Sequence, residues 1–156
     1  MMGCMKTLAA VIAGSLLLVP LAAQAAAPCL PQFEQGWLRP PVAGAAMPMV
    51  AGYGQLINPC DHPLQVVAVS SPAFASVSLH ESLIQNGMSR MQPVPQLQLP
   101  AGSRVTLAPG GYHLMLMQPK SPLQAGQLLP VQFTLADGSV LSAQLQVGAP
   151  TTGGEQ

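Results

Sequence analysis

Charge is scarce in this sequence: only 6% of its 156 residues are Asp, Glu, Lys or Arg, five basic against five acidic. Beyond residue 25 the basic residues are Arg39, Arg90, Arg104 and Lys120, the acidic ones Glu34, Asp61, Glu81, Asp137 and Glu155, and no basic cluster forms. Such a chain cannot neutralise a row of phosphates, which makes nucleic acid and anionic membrane surfaces poor candidates as partners. Convincing helical periodicity is absent, and so is any internal repeat. No Ser-His-Asp or Cys-His arrangement is recognisable and acids are scarce, so the sequence does not read as an enzyme. Long apolar runs are also missing but for one.

That run, Thr7 to Leu21, follows Lys6 and is interrupted by Pro20, and Ala23-Gln24-Ala25 supplies small residues ahead of a cut. At about 15 residues it is short of the roughly 20 that span a bilayer. Residues 1–25 are therefore expected to be a cleaved signal peptide that exports the protein to the periplasm, with no stable membrane insertion. Cys4 precedes the run and Cys29 follows Ala-Ala-Pro, unlike a lipoprotein signal. Cys29 and Cys60 remain, and in an oxidising compartment a structural disulfide is the natural reading. The alternative is that one of them ligates metal as a thiolate.

What is abundant is turn-forming residues, with 17 Pro and 15 Gly. From Phe33 onward short alternating or β-branched apolar runs are separated by Asn58-Pro59, Ser71-Pro72, Pro109-Gly110-Gly111 and Asp137-Gly138, which predicts an all-β antiparallel sandwich. Strands are expected at 33–38, 50–58, 64–70, 75–80, 96–99, 103–107, 112–117, 129–135 and 139–147. One domain spans 26–148, and 149–156 reads as a disordered tail.

In the strand from Tyr112, Leu114 and Leu116 share one face and His113, Met115 and Met117 the other. Likewise Val77 and Leu79 oppose Ser76, Ser78 and His80. If the aliphatic face is core, both histidines sit on the outer face, where packing does not explain thioethers. Any one His or Met here is more often filler than ligand. As a set, His80, Met91, His113 and Met115 offer two imidazoles and two thioethers without a carboxylate, a combination that selects Cu(I) over zinc, magnesium or calcium. Met91 is placed in a mobile loop, Gly87 to Pro93.

The spacing His80, ten residues, Met91, twenty-one residues, His113-Leu114-Met115 resembles the mark of the periplasmic PCuAC-type copper chaperones. Flanking phrases agree in order: Trp37-Leu38-Arg39-Pro40, Ala51-Gly52-Tyr53, Ser70-Ser71-Pro72, Leu79-His80-Glu81, Met91-Gln92-Pro93-Val94 and Pro109-Gly110-Gly111-Tyr112. The likeness runs from about Gly36 to Val147. It implies a cupredoxin-like Greek-key sandwich, a monomer that binds one Cu(I) at an exposed site. It also implies delivery to a cytochrome c oxidase subunit or a thioredoxin-like Sco protein during oxidase assembly. A periplasmic copper buffering or tolerance protein with the same ligands is the alternative. An electron-transfer cupredoxin would need a Cys thiolate beside two His, and no Cys follows residue 60. This chain lacks the His- and Met-rich C-terminal extension some members carry, and the Cys29/Cys60 pair is not a general family feature.

Of the remaining candidates, Met88 and Met117 are possible substitute ligands, and Met47 and Met49 are read as plain contacts. His62 is a solvated loop residue and Glu81 points away from His80. Trp37 and Tyr53 are core aromatics, and Arg39 is expected to pair with Glu34 or a partner.

Overall fold

The structure is a computed structural model that describes residues 26–40 and 48–148; the expected signal peptide 1–25, the expected tail 149–156 and Met47 lie outside the described residues. Among these residues there are ten strands and no helix: β1 (Gln32–Leu38), β2 (Met49–Ile57), β3 (Leu64–Ser70), β4 (Phe74–Gln85), β5 (Met88–Pro93), β6 (Leu97–Leu99), β7 (Arg104–Leu107), β8 (Tyr112–Pro119), β9 (Leu128–Leu135) and β10 (Val140–Val147). Nine correspond to the expected strands to within a few residues at most ends. The exceptions are a longer β4 and an additional strand, β5.

The strands form one ten-stranded sheet in the order β5-β4-β8-β7-β2-β1-β10-β9-β3-β6, with β8 also pairing directly to β2. Pairing is antiparallel except for β1 with β10 and a short contact of β7 with β8, which are parallel. The sheet rolls over, so that β3 and β4 come to line one apolar groove with Val66, Val69, Val77 and Leu79. Between the two halves lies a single core. β9 contributes Leu129, Val131, Phe133 and Leu135, at every second residue, and β8 contributes Leu114 and Leu116, both wholly buried. Burying a leucine completely is worth about 1.5–3 kcal/mol, so the period-two pattern fixes which face of each strand turns inward.

Cys29 and Cys60 are joined as a disulfide and lie 31 positions apart in sequence. The turn that carries Cys60 is held by the buried Asn58. Its amide donates to the carbonyls of Leu99 and His62, each at 2.9 Å, and its Oδ1 accepts from the Cys60 N–H at 2.9 Å. No helix among the described residues is long and apolar enough to cross a membrane.

Candidate metal centre

The candidate donors come together because three strands lie side by side. β4 sits between β5 and β8, and the register places His80 opposite His113 on one side and Pro93 on the other. Met115 lies opposite Ser78, and Met91 opposite Ser82. Cross-strand partners share a face and residues two apart return to it. His80, Met91, His113 and Met115 therefore emerge on one face in three successive rows about 7 Å apart. Ser78, Ser82 and Ala51 fill the places between them with small side chains. The opposite face carries Leu79, Leu114 and Leu116, which belong to the core, whereas Met91 and Met115 do not pack against it.

His113 is oriented from below by its own turn. The Gly111 carbonyl lies 3.0 Å from His113 Nδ1 and 3.0 Å from the Ser82 backbone N–H. A carbonyl can only accept, so Nδ1 carries the proton and Nε2 presents a lone pair. That Nε2 is buried and has no hydrogen-bond partner, a state that costs free energy unless another group satisfies it. His80 faces it with ring centroids 6.0 Å apart and touches Ser78 Oγ through Nε2 at 3.0 Å. Burial, and then the nearness of the second imidazole, His113, hold the His80 imidazole below the usual histidine range. Both effects favour the neutral ring that can ligate.

Beside these lies an open pocket of about 300 Å³ walled by Met91, His113, Met115, Met49, Tyr53 and Arg39; His80 flanks it. Among the described residues no group of three or more His, Cys, Asp or Glu converges. Beside the two imidazoles, the further candidate ligands on this face are thioethers, and such a set suits a soft cation.

Two expectations are corrected here. His113 is on the outer face but only 4% exposed, because Tyr53 of β2 and the turn at Pro109-Gly110 stand around it. Met91 is 55% exposed, yet it rides on a strand: Asn86 and Gly87 both take positive φ, 52° and 74°, and close a two-residue hairpin between β4 and β5. Met88, opposite Gln85, falls on the face away from the donors. Met117 shares their face one row beyond Met115. Arg39 does not pair with Glu34, which lies 4.0 Å from Arg104. It sits 5.9 Å above the Tyr53 ring, which meets Trp37 at a tilt with ring centroids 4.8 Å apart. Tyr53 is buried as expected but also lines the pocket, and so does Met49, which a Pro-flanked setting had made look incidental. His62 is solvated and bonded to Asp61 at 2.9 Å.

A family model described as "Putative lipoprotein LpqE-like" matches residues 32–147, which takes in every strand. The chain belongs to the LpqE-like family. Among curated proteins, this LpqE-like chain is 39% identical over 109 residues to "Putative lipoprotein Lxx21020" of Leifsonia xyli subsp. xyli, covering 69% of the chain and 63% of that relative. It thus spans less than two thirds of the relative's length. Among solved structures it resembles a copper-bound PCuAC domain from PmoF2, at 27% identity and a TM-score of 0.60 over 76% of this chain and 92% of that one. It also resembles the Cu(I) form of DR1885 from Deinococcus radiodurans, at 30% identity and 0.59, covering 86% and 90%. The LpqE-like chain has a cupredoxin-like β fold, and its structural neighbours are PCuAC domains, the family its spacing resembles.

Proposed function

We propose that this protein is a periplasmic copper chaperone that holds one Cu(I) through His80, Met91, His113 and Met115 and delivers it to an acceptor, a cytochrome c oxidase subunit or a thioredoxin-like Sco protein. The observation that carries the reading is the His113 Nε2 lone pair, buried without a partner on a face that also carries a second imidazole and two thioethers. The copper-bound PmoF2 domain and the Cu(I) form of DR1885 support it. Copper is cargo here, so the site must release as well as hold. His113 supplies a fixed donor at the back, and Met91, on an edge strand and open to solvent, is the donor an incoming ligand can displace first. Export is supported by the leader-like residues 1–25 and by a disulfide of the kind oxidising compartments favour.

The test is a competition titration of the reduced-copper complex against a Cu(I) chelator, with zinc in parallel. One equivalent of Cu(I), little zinc, and loss of the tight site in His113→Ala are expected; no uptake, or equal zinc affinity, refutes the reading. Transfer to an apo oxidase subunit or apo Sco protein separates a chaperone from a buffer, which would hold the ion without passing it on.

A further inference from the structure

Two methionines on the donor face are surplus to the four-donor site. Met49 opens β2 and Met117 lies two residues past Met115 on β8. The register sets them directly opposite each other, with Ser76 of β4 on the far side of Met117. Side chains so paired have Cβ atoms about 5 Å apart, close enough for two thioether sulfurs to meet over one ion. Neither packs against the hydrophobic core; Met49 is 37% exposed and walls the same pocket as Met91, His113 and Met115. A thioether outside the core forgoes much of the burial that ordinarily explains methionine, and here an exposed Met49 and a half-buried Met117 do so at matched positions.

We propose that Met49 and Met117 form a second, weaker site for Cu(I), one row or about 7 Å along β8 from Met115. The proposal rests on the reading of the neighbouring donors as a Cu(I) site. Two neutral thioethers without imidazole select a soft monovalent ion but hold it loosely. The pair is thus a step by which the ion enters or leaves the tighter site. The ion exchanges one sulfur donor for another, its oxidation state does not change and no covalent bond of the protein is made or broken.

Anaerobic titration of the protein with Cu(I), against a chelator, reads this directly. The unmodified protein is expected to take one tight equivalent and one weaker equivalent. The M49L/M117L variant should keep the first at unchanged affinity and lose the second, while M88L, altered on the other face of β5, keeps both. Leucine conserves volume, and melting of each apo variant checks its fold; should the double variant fail to fold, M49L and M117L alone are each expected to lose the second equivalent. A single equivalent in the unmodified protein, or a second equivalent retained by the variants, overturns the proposal. Weakening of the first equivalent overturns it too, since the pair would then belong to the tight site. No uptake at all would overturn the chaperone reading along with it, whereas loss of the weak equivalent alone strikes only the second site.

Discussion

At the scale of single residues, the arrangement separates groups that stabilise from groups that bind. Met91 is exposed and touches no core, so Met91→Leu should weaken Cu(I) binding while leaving the apo melting temperature nearly unchanged. Leu114 is wholly buried on the strand that carries His113 and Met115. Leu114→Ala should cost about 2–5 kcal/mol through the cavity it leaves, with a smaller effect on the metal. Melting and titration of both variants check this; equal destabilisation would make Met91 a core residue. His80 adds a pH dependence. Its pKa is depressed, first by burial and then by the electrostatic effect of the neighbouring His113 imidazole, so the unfolded chain binds its proton more readily than the folded one. The stability this represents is complete above the ordinary imidazole value of about 6.5 and is lost as the pH falls through the lower folded value. Apo protein should therefore melt at lower temperature as the pH is taken below about 6.5, with a shallower dependence in His80→Gln. Cu(I) affinity should fall over the same range, because protons compete for the ring.

At the scale of elements, the strand β8 could be read from the sequence, because its core and donor faces alternate without interruption from Tyr112 to Met117. The hairpin of β4 and β5 could not be read from periodicity. Met88 to Pro93 is exposed along its whole length, so no apolar residue marks an inner face, and the run is broken by Arg90 and Pro93. The turn residues Asn86-Gly87 were the available signal, a pair that favours the positive φ both residues adopt. The burial of His113 was not legible either, since it depends on Tyr53, a residue sixty positions earlier that only the pairing of β2 with β8 brings alongside. Because β5 is an edge strand with one partner and no buried side chain, its amides should exchange with deuterium faster than those of β8, which is paired on both sides. Gly87→Val, strained at φ 74°, should raise exchange in β5 further and loosen Cu(I) binding as Met91 loses its platform. Core strands β8 and β9 should exchange as before.

At the scale of the whole molecule, the disulfide and the donor face act on different properties. Cys29 and Cys60 tie the segment ahead of β1 to the turn after β2, next to Asn58, and neither cysteine lines the donor pocket. Closing a loop of 31 positions stabilises by roughly 3–4 kcal/mol through the unfolded chain. Reduction should lower the melting temperature while changing the Cu(I) dissociation constant little, and thiol counting on denatured, unreduced protein should find no free thiol. The rolled sheet also divides the substitutions that selection can test. Its inner surface is committed to leucine, valine and phenylalanine, and changes there are paid in folding. Its outer surface at β5, β4, β8 and β2 carries the proposed donors, which lie outside the hydrophobic core. Met115, Met117 or Met91 can be exchanged for histidine, leucine or glutamine with the scaffold kept intact, so descendants of one such sequence can drift from one metal to another, or to none, along a path of folded proteins.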